Sequence, residues 1–249
     1  SKINAAKPTA AKPFVLGLPT GSTPVGVYKA LVEHYKAKRV SFENVITFNM
    51  DEYLGMPKDH PQSYYHFMHE HLFNHIDIKK ENINMLDGMC KNVEEACAAY
   101  EAKMKKVGGI DLFLGGVGVD GHLAFNEPSS SPTSRTRKVA LTQSTIRANS
   151  RFFDNDMSKV PTESVTVGVG TVLDAQEVLI MMSGDGKAQA LQNTVEGSVS
   201  QFWPITAIQL HQKSIVVCDE PATSELKVRT YNYFKFVEKD NLDAKSLLK

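Results

Sequence analysis

Short apolar runs recur along this chain, each leading into a loop of glycine, hydroxyl or acidic residues, and this spacing constrains the fold most. The runs are residues 14–18, 45–50, 110–114, 164–169, 178–182 and 215–218. Runs of this length without polar alternation read as strands buried on both faces. Between them lie helix-patterned stretches: one behind Pro24 with Tyr28, Leu31, Val32 and Tyr35 on one face, then 63–75, 93–106, 188–195 and about 222–237. Strands alternating with helices predict an α/β chain with a doubly wound, mostly parallel sheet and helices on both faces. No repeat or linker divides the 249 residues, a length that suits one domain over 1–249 with a large core.

Parallel sheets bind ligands beyond the carboxyl ends of their strands, so the loops that follow the runs are where chemistry is expected. The richest is Gly-Gly-Val-Gly-Val-Asp-Gly-His-Leu-Ala-Phe-Asn-Glu-Pro, from Gly115 to Pro128. Its four glycines free the backbone for close approach. Asp120, His122 and Glu127 place two carboxylates around one imidazole, a grouping that can hold a tautomer and tune it for proton transfer. After the run at 45–50 come Asp51 and Glu52, of which Asp51 ranks first as a candidate acid or base.

Four places offer to hold an anion. Thr20-Gly21-Ser22-Thr23 feeds the helix behind Pro24, with Thr23 expected as N-cap and Pro24 as the first helical residue. Backbone N–H groups, hydroxyls and the positive helix end there suit a phosphate, and an ordinary capped turn accounts for the loop equally well. Arg151, set beside Phe152 and Phe153, reads either as a phosphate grip or as half of a structural ion pair. Lys187 sits at the strand-to-helix turn 183–187, which lacks the spacing of a nucleotide-binding P-loop. Arg135, Arg137 and Lys138 close a Ser/Pro/Thr-rich turn and read as a solvated face or as a second anion site.

Other classes are disfavoured. Lys plus Arg equals Asp plus Glu at 28 each, which gives no electrostatic case for nucleic acid or an anionic membrane surface. No apolar run reaches membrane-spanning length. Three cysteines without Cys-x-x-Cys spacing read as reduced thiols of a cytoplasmic protein. His71 and His75 have the spacing of a zinc pair, but no third ligand accompanies them, so no metal is expected. Gly116-Val-Gly-Val-Asp-Gly121 matches a dinucleotide fingerprint, yet Asp120 would face the pyrophosphate and the long helix and distal acid are missing.

Four motifs in order, Leu18-Pro-Thr-Gly-Ser-Thr-Pro24, Phe48-Asn-Met-Asp-Glu-Tyr53, Gly116 to Pro128 and Asn149-Ser-Arg-Phe-Phe153, resemble those of the glucosamine-6-phosphate deaminase family. The likeness spans about residues 3–234. It implies a Rossmann-like fold and conversion of glucosamine 6-phosphate and water to fructose 6-phosphate and ammonia, with no cofactor. It assigns sugar-ring opening to His122 with Asp120 and Glu127, and C2-to-C1 proton transfer to Asp51. The substrate phosphate falls to Thr20, Gly21, Ser22, Thr23, Arg151 and Lys187. The family commonly begins with one more strand and helix, which the resemblance places before Ser1. Bacterial members are usually hexamers activated by N-acetylglucosamine 6-phosphate. Here Ser130 and Arg137 match that effector site, whereas Val139 and Ala140 replace its lysine and threonine, so weak or absent activation is expected. Ser22 stands where many relatives carry glycine. The alternatives are a 6-phosphogluconolactonase-like hydrolase, favoured less by Phe125-Asn-Glu-Pro128, and a non-catalytic sugar-phosphate sensor.

Overall fold

The computed structural model describes residues 2–242; Ser1 and residues 243–249, the two ends of the range read as one domain, lie outside the described residues. In chain order the strands are β1 (Phe14–Leu18), β2 (Val45–Asn49), β3 (Asp51–Tyr53), β4 (Ile83–Asn84), β5 (Leu112–Gly116), β6 (Arg137–Ala140), β7 (Glu163–Thr166), β8 (Glu177–Met182) and β9 (Ser214–Cys218). The helices are α1 (Lys2–Ala6), α2 (Val25–Lys36), α3 (Tyr64–His71), α4 (Val93–Lys106), α5 (Gln143–Asn149), α6 (Val169–Leu173), α7 (Ala188–Glu196) and α8 (Val228–Val237).

The main sheet has the order β4-β2-β1-β5-β8-β9, and each neighbouring pair is parallel. Alternation along the strands sends side chains to opposite faces. Phe14, Leu16 and Leu18 pack with Ile3 of α1, Tyr28 and Val32 of α2 and Met68 of α3. Val15 and Phe113 pack on the other side with Tyr100 and Met104 of α4 and Leu191 of α7. Helices therefore cover both faces of the inner strands, as their apolar runs predict, whereas Ile215 and Val217 of the edge strand β9 are exposed. Because all six strands are parallel, the loops after β1, β2, β5 and β8 emerge on one edge. The order reverses between β1 and β5, and the crevice that such a reversal opens is the usual ligand site.

A second, three-stranded sheet, β3-β7-β6, stands at that edge and is antiparallel. Met50 is the hinge between the sheets: its N–H donates to the Leu18 carbonyl at 3.0 Å, and its carbonyl accepts from Val167 at 2.8 Å. The run at 164–169 is thus not a strand of the main sheet. A short apolar stretch does not specify its partners, and Ser164 and Thr166 spend their hydroxyls inside the small sheet, Ser164 on the Glu52 carbonyl at 2.8 Å. The structure moves other boundaries too. α2 starts at Val25 with Pro24 at the cap and no side-chain cap bond, because Thr23 lies against Gly116. The 63–75 stretch breaks at Leu72, whose backbone leaves the helical region, into α3 and a 3₁₀ turn. The last helix begins at Val228, after a separate 3₁₀ turn at Pro221–Thr223. Gly115 and Gly116 belong to β5, so only the later glycines of that motif shape the loop.

Candidate active site

The loop after β5 is built around two glycines. The Gly118 N–H donates to the His122 carbonyl at 2.9 Å, and the Gly121 N–H donates to the Gly118 carbonyl at 3.1 Å. The imidazole of His122 folds back over Gly118, where a Cβ would stand 2.2 Å from Nδ1 and Cε1. Gly121 takes a left-handed φ of +81°, and a Cβ there would meet the Trp203 ring at 2.4 Å. The Ile205 N–H donates to the Gly121 carbonyl at 2.9 Å, so the segment carrying Trp203 braces the turn from outside.

Asp120 Oδ1 lies 2.7 Å from His122 Nδ1, and Glu127 Oε2 lies 3.7 Å from the same nitrogen. Asp120 Oδ1 also accepts the His122 backbone N–H at 3.2 Å. Burial pushes the Asp120 carboxyl up, but the hydrogen bond and charge of His122 outweigh it and hold the group down at about 2. Both carboxylates thus face the same ring nitrogen. Asp120, His122 and Glu127 each offer a ligand atom within 4.8 Å of the others, the donor set a divalent ion would use. The 2.7 Å contact is an ion-pair distance, and Nδ1 makes no aligned hydrogen bond among the described residues. Two ligands around tetrahedral zinc stand about 3.3 Å apart, so the arrangement fits proton handling better than a metal.

Asp51 opens β3 at the hinge and is only 7% exposed. Burial, then the neighbouring charge of Glu52, pushes its carboxyl up to about 8. Glu52 is committed elsewhere. Its oxygens accept the N–H groups of Tyr53, Tyr64 and Tyr65 at 2.9–3.0 Å and so satisfy the start of α3. Among the described residues the Asp51 side chain has no hydrogen-bond partner. The small sheet ties Asp51 to the histidine loop: Asp51 pairs with Thr166, whose Oγ1 accepts from Phe125 N at 3.0 Å. Asn126 Nδ2 then donates to the Val167 carbonyl at 2.8 Å.

The anion-binding candidates gather at the same edge. Thr20–Thr23 follows β1, Gly21 holds φ +89°, and Thr23 packs beside Gly116 of β5. Without a side-chain cap the first N–H groups of α2 are left for another acceptor. Lys187, in the 3₁₀ turn after β8, is pushed down by burial and by the positive charge of Arg151, and pulled back up by Asp120. These three charges therefore share one field. Arg151 lies in the 3₁₀ turn after α5, with its guanidinium 4.7 Å from the Phe152 ring centroid. Among the described residues, Arg151 and Lys187 make no ion pair and no side-chain hydrogen bond.

Ser130 and Arg137 also meet. Arg137 donates to Ser130 Oγ at 3.3 Å and to Asn126 Oδ1 at 2.8 Å, one residue from Glu127. Lys138 points to the opposite face of β6 and pairs with Glu163 at 2.9 Å. On helix α3, His71 packs on the Phe67 ring, while beyond the helix His75 Nε2 sits 2.7 Å from the Glu70 carbonyl; the two histidines do not form a metal pair. Sequence reasoning missed Trp203, although it is the chain's single tryptophan. Thr142, which contacts Glu127, carried no signal beyond an ordinary helix cap.

A Rossmann-like parallel sheet that places an Asp–His–Glu loop and a hydroxyl-rich loop at its switch point defines the class of protein to which this chain is compared. Residues 2–217 match the model of the glucosamine-6-phosphate isomerase/6-phosphogluconolactonase family, and the chain belongs to that family. Within it, the chain is 67% identical to a glucosamine-6-phosphate deaminase of Parabacteroides distasonis, over all of this chain and 92% of the relative. It is 60% identical to that of Yersinia enterocolitica, over 97% of this chain and 91% of the relative. A solved monomeric glucosamine-6-phosphate deaminase superposes with a TM-score of 0.84 at 37% identity, covering 89% of this chain and 94% of that one. The 6-phosphogluconolactonase of Thermotoga maritima shares the fold, with a TM-score of 0.66 at 21% identity over 83% of this chain and 85% of that one.

Proposed function

We propose that this chain is a glucosamine-6-phosphate deaminase, releasing ammonia from glucosamine 6-phosphate and forming fructose 6-phosphate. The carrying observation is that one imidazole with Asp120 and Glu127 at its Nδ1 and one buried Asp51 sit at the same sheet edge as Arg151 and Lys187, Asp51 and both cations being without partners among the described residues. The phosphate is held by the N–H groups and hydroxyls of Thr20, Gly21, Ser22 and Thr23, with Arg151 and Lys187.

His122 moves a proton from the C1 hydroxyl to the ring oxygen, which opens the ring and exposes the C1 aldehyde. Asp120 supports this role by holding Nδ1, which keeps Nε2 for the substrate. With C1 a carbonyl, the C2 proton becomes acidic; Asp51 removes it, and the substrate ammonium passes a proton to O1, which gives an enolamine. Asp51 returns the proton to C1, which leaves a C2 iminium and a C1 alcohol. Water adds at C2, ammonia leaves, and the ketone of fructose 6-phosphate remains. The substrate carbonyl is the electron sink, so the steps balance without a cofactor. An acid with a pKa near 8 is well matched to this work, because its conjugate base is strong enough to take a carbon-bound proton near neutral pH.

The resemblance extends the proposal to aminosugar breakdown in the cytoplasm and to a homo-oligomer, a hexamer in bacterial members, although the solved relative is a monomer. The test is ammonia release from glucosamine 6-phosphate, alone and with N-acetylglucosamine 6-phosphate. Release in both supports the proposal; no release from folded protein, with hydrolysis of 6-phosphogluconolactone instead, overturns it.

A further inference from the structure

The two carboxylate oxygens of Glu127 keep different company. Oε1 accepts the Thr142 backbone N–H at 3.2 Å and lies 3.3 Å from Thr142 Oγ1. Oε2 is buried, has no hydrogen-bond partner among the described residues, and stands 3.7 Å from His122 Nδ1. The terminal torsion of a glutamate is broad and nearly two-fold, so a free carboxylate would exchange these oxygens readily. Two donors from one residue on Oε1 oppose that exchange.

The hydroxyl of Thr142 has one proton and two lone pairs to place. The Thr145 N–H, which can only donate, reaches Oγ1 at 3.3 Å. Ser144 Oγ stands at 2.8 Å and can donate into the second lone pair, while Thr145 Oγ1 at 3.2 Å is a neutral competitor for the proton. Glu127 is the charged acceptor within reach, and a charge-assisted bond outweighs a neutral one. The Thr142 proton therefore belongs on Glu127.

We propose that Thr142 is a positioning residue: its hydroxyl and backbone N–H together orient Glu127 so that Oε2 alone faces His122. This rests on the deaminase reading, in which Glu127 tunes that imidazole. The proton on Nδ1 then has Asp120 as its near partner and a fixed second carboxylate oxygen behind it. When His122 gains a proton during ring opening, Oε2 is already aimed at the new positive charge and no reorientation is required.

Thr142 also caps α5, and a lost cap would disturb the site for reasons unrelated to Glu127. The experiment separates the two effects with three variants of the whole chain. Thr142→Val removes the hydroxyl, Thr142→Ser keeps both the hydroxyl and the cap, and Ala148→Gly weakens α5 at an exposed position without touching Glu127. The readouts are the NMR titration of the His122 ring without substrate, and kcat and KM for ammonia release. The expected result is a displaced His122 midpoint and about a tenfold lower kcat at little-changed KM in Thr142→Val, the scale of one lost hydrogen bond to a charged group. Thr142→Ser should restore both, and Ala148→Gly should leave the midpoint at its wild-type value. A wild-type midpoint in Thr142→Val overturns the proposal, as does an equal displacement in Ala148→Gly. If the wild type releases no ammonia the deaminase reading fails, while the His122 titration still decides the role of Thr142.

Discussion

A single oxygen of Asp120 serves both ends of His122: Oδ1 lies 2.7 Å from the ring Nδ1 and accepts the backbone N–H of the same residue at 3.2 Å. One carboxylate oxygen thus faces both the ring and the backbone of the histidine, through an ion-pair contact to Nδ1 and a hydrogen bond from the backbone N–H. Asp120→Asn, whose amide can turn a donor toward Nδ1, should lower kcat by about 10²-fold or more, the usual worth of a positioned acid–base group. Steady-state kinetics check this. Because the fold holds Asp120 down at about 2 from an ordinary 3.8, its contribution to stability is present above about pH 4 and lost as pH falls toward 2. Wild type should therefore lose more thermal stability than Asp120→Asn over that window.

Asp51 gives the opposite sign. Its carboxyl is raised to about 8 in the fold from 3.8, so the stability linked to its protonated form is complete below about pH 4 and is lost as pH rises through 8. Asp51→Asn should abolish turnover, keep binding of a substrate analogue, and gain in melting temperature over wild type as pH rises from 4 to 9. The wild-type kcat/KM should rise with pH on a limb near 8. Glu52→Gln, which removes the neighbouring charge, should move that limb to lower pH.

Gly118 admits no side chain. Its Cβ would stand 2.2 Å from the His122 ring, so Gly118→Ala must displace the imidazole from Asp120. The expected outcome is a drop in kcat of about 10²-fold with a modest loss of stability, about 1–3 kcal/mol for an overpacked contact. A urea melt and an ammonia-release assay on one preparation measure both.

Arg151 and Lys187 should act on binding. Lys187→Met or Arg151→Met should raise KM and weaken competition by inorganic phosphate, each by about 10- to 100-fold, the range of one charged hydrogen bond. Wild-type inhibition by phosphate in either variant would remove that cation from the site.

Activation by N-acetylglucosamine 6-phosphate should be weak or absent. β6 is a strand, so Lys138 lies on the face away from Arg137, paired with Glu163, and does not replace the donors lost at Val139 and Ala140. Initial rates with and without that sugar phosphate test this.

The main sheet was legible because runs buried on both faces have one economical arrangement, and the amphipathic stretches between them supply the cover. The candidate residues were legible because strand ends in such a sheet converge, so chemistry-bearing types at 20–23, 51, 120–127 and 187 fall on one edge whatever the loops do. Pairing in the small sheet was not legible, since the four residues of β7 fit an antiparallel partner as well as a parallel one. Local pattern ranked Asp51 ahead of Glu52 but supplied no physical ground for the choice. Both follow the same strand, and only the packing of α3 gives Glu52 three N–H partners and leaves Asp51 buried and unbonded. The sequence by itself determined the parallel α/β order and which residue types meet at its edge, because hydrophobic periodicity and strand-end loops are local properties. Tertiary structure alone decided which carboxylate is desolvated, which oxygen faces His122, and which cations stay unpaired, because burial and hydrogen-bond partners are supplied by segments distant in the chain.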